Sequence, residues 1–363
     1  MELLTKFCII VIIVATGGSS ISPAKGSTFM SDPRPFRLGF FSYLQGNTSP
    51  QQIYNEAMAL FVEADKLGID KAWVAQHSFN HHGGLPSPFV FFSALGGRTE
   101  QIGFGTAIVS LPILNPVRVA EEAAVLEAYF PGRLDLGLGT GFATPAVLST
   151  FDHPGGDRRT LYDEKIVQLI DTFDGKVLND DGDVLFPPAP GMNQRLWEAP
   201  STLERVTESA RRGSGLLLSR IAIGAGNTPT PEVQIPLVAR YKAELPEGVA
   251  PRIGLSRTVY PSRDPESAYR NLSEGLRIMA TAQGHGDRSI EELIAQHNIH
   301  WGTPEQVIES LRREPLLDQI TDLICQLQPG LPSYEQSLEA ITLIATEVAP
   351  ALGWSPARDL AAV

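Results

Sequence analysis

Cysteine is nearly absent from this chain: its 363 residues include Cys8 and Cys325 and no others. Two cysteines make neither a disulfide framework nor a thiolate metal cluster, so the fold does not depend on an oxidising compartment, and a reducing cytosol suits it. Basic residues are also short, with 29 Lys and Arg against 41 Asp and Glu and a net charge of -12. That balance argues against nucleic acid or an anionic membrane surface as a partner, while leaving room for a local anion pocket. No low-complexity tract or internal repeat is visible, and 43% hydrophobic residues exclude the disordered, collagenous and coiled-coil classes. Long apolar runs are missing too, with one exception. Phe7 to Ala15 (FCIIVIIVA) follows Lys6 and precedes Thr16, Gly17, Gly18 and Ser19, the outline of a signal-peptide core. It falls well short of the ~20 residues that span a bilayer. Glu2 offsets Lys6, and a translation start at Met30 would equally explain residues 1–29 as an over-extended reading frame. Either reading sets 1–29 apart as an extension, with 30–355 as the folded unit and 356–363 as a tail. No stable membrane association is expected, and the expected location is the cytoplasm.

From Arg37 onward, short apolar runs bounded by Gly or Pro alternate with longer stretches of helical period. Strands are expected at 37–43, 71–75, 102–111, 133–138, 195–198, 215–219, 252–260 and 321–326. Helices are expected at 50–67, 88–97, 116–129, 159–173, 202–212, 231–243, 265–283 and 333–349. Such alternation is the mark of repeated βα units around a parallel sheet. The irregular stretch 141–192 contains the polar, proline-rich segment NDDGDVLFPPAPGMN, which reads as an excursion over the barrel mouth. The expected fold class is α/β: a single (β/α)8 TIM barrel with an insertion after the fourth strand, its chemistry where strands end and helices begin.

Three segments could carry that chemistry. In WVAQHSFNHHGGLPSP, His77 falls just past the second strand, where an imidazole with an ordinary pKa near ~6.5 could give or take a proton. The bland alternative is a structural histidine bonded to a loop carbonyl. His81 and His82 complete an H-x3-H-H pattern, a weak metal signal, since Gly83 and Gly84 argue for a loop and no H-E-x-x-H is present. No metal is therefore expected. In LDLGLGTGFATP, Gly137, Gly139 and Gly141 would let a ligand approach the backbone, or simply make a tight turn at a barrel rim. The set fails as a dinucleotide fingerprint, because the third glycine is missing. In WEAPSTLERVTESARRG, Ser201 and Thr202 start a helix, where free amides, hydroxyls and Arg205 could hold a phosphate, or where an ordinary N-cap could sit.

Taken together, these segments resemble the bacterial luciferase-like family of flavin-dependent monooxygenases. The resemblance extends from Arg37 to about Leu352 and is strongest in WVAQHSF, GRTEQIGFGTAIVSLPILNPVRVAEEAAVLEAYFPGRLDLGLGTGF, ARRGSGLLLS and WGTPEQVIESL. It implies a barrel that binds reduced FMN and uses O2 to insert one oxygen atom into an organic substrate. His77 then stands where the family has its active-site histidine, managing protons on the flavin adduct. Thr106, Ala107 and Ile108 fall on the strand lining the flavin ring, where relatives often carry a non-proline cis peptide, here at Ala107 to Ile108. Gly139, Thr140 and Gly141 fall at the rim beside it, and Ser201 and Thr202 in the phosphate loop.

Two departures stand out. Many relatives place an arginine where this chain has Thr140, so the implied phosphate loses a charge unless Arg205 supplies it from the other side. The acid that commonly precedes the histidine is replaced by Gln76. The leading expectation is an FMN-dependent monooxygenase fed by a separate flavin reductase, because no nicotinamide fingerprint is found. Its substrate would be a small, partly apolar molecule under the 141–192 insertion and the 81–88 loop, near Phe79, Leu85, Phe142, Phe151 and Phe186. The alternatives are a deazaflavin-dependent hydride-transfer enzyme on the same fold and a flavin-binding barrel without turnover. The resemblance also implies a homodimer, to which Val117 to Tyr129 would contribute.

Overall fold

The computed structural model describes residues 34–357 except 47, 80–83, 142, 223–225 and 285. The N-terminal apolar run, His81, His82 and Phe142 lie outside the described residues. Along the first strand, β1 (Arg37–Ser42), Leu38 and Phe40 join the main outer core, while Phe41 turns inward to Trp73, Trp197, Leu217 and Ile324. That period of two repeats around the molecule.

After β1 come α1 (Pro50–Lys66), β2 (Lys71–Val74), α2 (Pro88–Gly96), β3 (Gly103–Thr106), a short β4 (Val109–Ser110), α3 (Pro116–Tyr129) and β5 (Leu134–Gly139). The chain continues through α4 (Pro145–Thr150), α5 (Arg158–Phe173), β6 (Leu196–Glu198), α6 (Leu203–Arg211), β7 (Gly215–Leu218), α7 (Thr230–Glu244) and β8 (Ile253–Pro261). Next are α8 (Pro265–Ala282), α9 (Ile290–His297), β9 (His300–Gly302), α10 (Pro304–Leu311), β10 (Asp322–Gln326) and α11 (Tyr334–Leu343), which a π-helical turn (Ile344–Val348) joins to the short α12 (Ala349–Ala351). Strands β1, β2, β3, β5, β6, β7, β8 and β10 pair in parallel, and β10 bonds to both β8 and β1, which closes the ring. The expected eight-stranded barrel is the observed one. No helix among the described residues is long and apolar enough to cross a membrane.

Three local expectations are corrected. The strand expected at 102–111 is interrupted: pairing stops after Thr106 and resumes at Val109 beside Leu138. The stretch 284–320, left without elements, contains α9, β9 and α10, and both helices are opened by capping boxes, Ser289 with Glu292 and Thr303 with Gln306. The proline-rich segment is at the opposite end from the mouth. Helix α5 has 16 residues and carries the chain down about 24 Å, so residues 174–195 run beneath the barrel into the start of β6. There Asn193 bonds to Ile170 and Asp174 at the end of α5, and Arg195 pairs with Glu127 at 2.8 Å. Phe186 is 82% exposed and is removed from the candidate substrate space.

The interior is layered. At the N-terminal end buried Lys71, Asp135 and Asp322 form a charged layer that half-exposed Arg37 completes, with Arg37 to Asp322 at 2.9 Å and Lys71 in contact with Asp135. Above it Trp73 and Trp197 cross nearly at right angles, ring centroids 6.0 Å apart. A Cβ on Gly105 would come within 2.3 Å of the Trp73 ring, and one on Gly215 within 2.4 Å of the Trp197 ring, so both strands need glycine where the indoles lie. Cys325 is buried and free, and burial pushes its thiol pKa up, which leaves it unreactive.

Outside the ring, a buried ion pair ties β8 to α7 and to the residues after α10. The Arg257 guanidinium, fully buried, donates to Glu314 at 2.8 Å and to the Gln234 side chain at 2.9 Å, while Asn298 donates to Glu314 at 2.6 Å. Burial opposes ionisation of Glu314, yet neighbouring His300 and the Arg257 charge outweigh it and hold the carboxyl at about 2. Its stabilising contribution is therefore complete above the ordinary value of 4.5 and is lost as pH falls toward 2. The shift amounts to about 3 kcal/mol. Glu314→Gln is expected to lower stability at neutral pH by about 3–5 kcal/mol, because Arg257 is left buried and unpaired. Urea unfolding measures this, and the gap between wild type and variant should shrink on acidification from about pH 5 to about pH 2.

Candidate active site

At the C-terminal rim the inward alternation continues past the strand ends. Tyr43 follows Phe41, His77 follows Trp73 and Ala75, and Ala107 follows Gly105. Tyr43, Ala107 and Ile108 pack on the inner cluster of Phe41, Trp73, Ala75, Trp197, Leu217 and Ile324, forming an apolar platform across the mouth. The Ala107–Ile108 peptide bond is cis, at the position the resemblance implied. His77 stands at the platform's edge, its ring 5.5 Å from that of Tyr43. Its Nδ1 is buried with no hydrogen-bond partner among the described residues, and burial lowers its pKa below 6.5. The imidazole is thus held neutral, with a free nitrogen available for proton exchange.

Gln76 explains itself structurally. Its side-chain oxygen accepts from the Ser110 N–H at 2.9 Å, and its side-chain nitrogen donates to the Pro86 carbonyl at 3.1 Å. The His77 N–H donates to the Leu85 carbonyl at 3.0 Å. Gln76 therefore clamps β4 to the loop that carries His77, a task a carboxylate, which only accepts, would do half as well. Farther out, Phe79 and Phe151 meet at 5.7 Å.

The glycines at the end of β5 serve packing first. A Cβ on Gly137 would fall 1.9 Å from the Thr106 carbonyl, and one on Gly141, at φ +58, 2.4 Å from Ser110 Oγ. The Thr106 hydroxyl donates to the Gly137 carbonyl at 2.7 Å and accepts its N–H at 2.8 Å, so this buried side chain bridges strands. Gly139 abuts Ile108 and begins a second feature, a cavity of about 220 Å³ lined by Gly139, Thr140, Ser201, Thr202, Glu198 and Glu204, and by four arginines. Thr202 caps α6 and accepts the Arg205 N–H, and Ser201 is exposed to the cavity.

Arg205 is not a spare charge: it pairs with Asp163 at 2.5 Å and Glu208 at 2.8 Å. Arg212 is bidentate on buried Glu198, at 3.0 and 2.8 Å, and the Tyr162 hydroxyl donates to the same carboxylate at 2.7 Å. The remaining arginines, Arg158 and Arg159, come from the first turn of α5. The sequence reading missed them, although RR just after the N-cap Asp157 was a usable signal.

A family model described as luciferase-like monooxygenase matches residues 37–319. The chain belongs to this family. An uncharacterized protein of Sinorhizobium fredii is 23% identical over 341 residues, which cover 86% of this chain and 95% of the relative. The oxygenating constituent of 3,6-diketocamphane monooxygenase from Pseudomonas putida, in complex with FMN, matches with a TM-score of 0.70 at 17% identity over 89% of this chain and 100% of its own. An F420-dependent secondary alcohol dehydrogenase, in complex with an F420-acetone adduct, matches with a TM-score of 0.64 at 17% identity over 89% and 99%. The luciferase-like fold thus serves both flavin-dependent and F420-dependent oxidoreductases.

Two measurements check this geometry. The His77 ring protons, followed by NMR, should titrate below 6.5. Gln76→Glu should cost about 1–2 kcal/mol of stability, because the Pro86 carbonyl loses its donor and a carboxylate faces it.

Proposed function

We propose that the chain is an FMN-dependent oxidoreductase of the monooxygenase type. The observation that carries this reading is the adjacency of two unlike surfaces at one rim: an apolar platform edged by a neutral histidine, and an arginine-lined cavity that begins at Gly139, against Ile108. A flat ring with a phosphate tail requires that pair. The unpartnered His77 Nδ1 is a further mark of fit. When bound, reduced FMN supplies the two electrons that allow O2 to deliver one oxygen atom to an organic substrate, the other leaving as water.

The chain's own residues perform the rest. Tyr43, Ala107 and Ile108 support the ring, Ser201 and Thr202 meet the phosphate at the positive end of α6, and the field of that helix favours an anion. Thr106 holds the strand beneath without touching the ligand through its hydroxyl. His77 moves a proton at Nδ1, in a setting dry enough to keep it neutral. Phe79, Leu85 and Phe151 form the apolar side from which a small organic substrate enters. The missing nicotinamide fingerprint supports delivery of reduced FMN by a separate reductase.

Titration with oxidised and photoreduced FMN, followed by admission of O2, tests the reading. Binding of reduced FMN with oxygen uptake is expected, and His77→Asn should keep the binding while slowing substrate oxidation by about 10²–10⁴-fold. Binding of F420 in place of FMN, with hydride transfer and no oxygen uptake, would overturn the monooxygenase reading.

A further inference from the structure

We propose that Arg220, just past the C-terminal end of β7, binds a carboxylate of the organic substrate, which makes that substrate an organic acid. The inference rests on the oxidoreductase reading above and adds to it the chemical class of the substrate.

An unanswered charge carries the proposal. Among the described residues two arginines are almost completely buried, Arg257 and Arg220. Arg257 is answered by Glu314 and Gln234. Arg220, 9% exposed, has no oxygen partner among the described residues: both terminal nitrogens lie 3.8 Å from the Met279 sulfur, and its Nε meets nothing. Even the half-buried Arg133 and Arg252 find carbonyl oxygens. A guanidinium cannot shed its proton to escape burial, and a thioether is a weak acceptor. A buried cation in such company is costly, and an apolar side chain of similar length would fill the space without the charge. The group that balances Arg220 is therefore one that the chain does not supply.

The helix that carries Met279 shows where that group enters. On α8, Asn271, Gly275 and Met279 recur at a spacing of four and so share a face. Asn271 donates to the Tyr260 hydroxyl near the end of β8 at 3.3 Å, and a Cβ on Gly275 would fall 1.7 Å from the Pro329 carbonyl just after β10. Met279 meets Arg220 just after β7. One face of α8 thus lies along the C-terminal ends of three barrel strands, the end at which the platform stands. The neighbouring face, with Leu272 and Leu276, packs on Ile290 and Leu293 of α9. Arg220 is three residues beyond Leu217, which belongs to the inner cluster under the platform. The cation is therefore at the rim of the mouth, covered by an adaptable methionine that a ligand can displace. The planar fork of a guanidinium matches a carboxylate in two parallel hydrogen bonds, one charge against one charge. A carboxylate held there leaves the apolar part of the substrate for the platform.

The test compares benzoate with its neutral counterpart benzyl alcohol on the full chain, with and without FMN, by calorimetry and by NMR of methyl-labelled methionine. The Met279 signal is assigned by its loss in Met279→Leu. Wild type should bind benzoate about tenfold to a hundredfold more tightly than benzyl alcohol, the range of hydrogen bonds to a charged group, and benzoate should move the Met279 signal. Arg220→Met should remove the preference and, by deleting an unpaired buried charge, raise the thermal midpoint of the ligand-free chain. Met279→Glu should also do both, because the acid supplies the missing partner from within. A preference that persists in either variant overturns the proposal. So does a lower thermal midpoint in Arg220→Met, which would make Arg220 a structural residue. If FMN binds and oxygen is consumed while benzoate is not preferred, the carboxylate class falls and the flavin reading stands. If benzoate binds through Arg220 while no flavin binds, the anion site stands and the flavin reading falls.

Discussion

A closed ring of eight parallel strands has an interior that must be filled to crystal-like density, and in this chain the filling of Trp73 and Trp197 sets the rest. The two indoles cross at 6.0 Å and take the space that Gly105 and Gly215 leave on neighbouring strands. Below them the barrel is closed by charges, Arg37 with Asp322 and Lys71 with Asp135. Above them, the packed layer is the floor on which Tyr43, Ala107 and Ile108 rest. The platform at the mouth therefore rests directly on the packed barrel core.

The rim divides into apolar and charged halves at Gly139. On one side His77 is neutral because the surroundings that support the platform also dehydrate the imidazole. On the other, Glu198 is buried but satisfied by Tyr162 and Arg212, so it does not set the sign of the cavity. The start of α5 is brought to the β5 turn by the bond from Arg158 to the Gly141 carbonyl. Gln76 links the halves: through Ser110 and Pro86 it ties the histidine loop to β4, and Ser110 in turn donates to the Thr140 carbonyl.

Most barrel strands were legible because hydrophobic periodicity is a local property. The failures have physical causes. Strand 102–111 reads as continuous because Ala107 and Ile108 are as apolar as their neighbours, but pairing breaks where the backbone turns inward to the platform. The proline-rich segment after α5 could not be assigned to an end of the barrel without following the direction of that helix. The capping boxes at Ser289 and Thr303 were readable signals, and so were the apolar faces that bury Ile290 and Leu293 on α9 and Val307 and Leu311 on α10. Of the candidate site residues, His77, Ala107 and Ile108 converge at the mouth and Thr140, Ser201 and Thr202 at the cavity, whereas the Thr106 hydroxyl turns to Gly137 and the Arg205 side chain to its two acids.

By itself the sequence determined the order of the eight barrel strands and of the main helices between them, and with it the parallel barrel and the end of the barrel at which chemistry is placed. Side-chain period, turn residues and right-handed crossovers are rules that act over neighbouring residues. Only the tertiary structure decided which charges meet. Arg205 meets Asp163 across 42 positions of sequence, and Arg212 meets Glu198 across 14. Coulombic balance depends on distance through space, so of the arginines in one pocket Arg205 and Arg212 are held by acids while Arg158 turns to the Gly141 carbonyl.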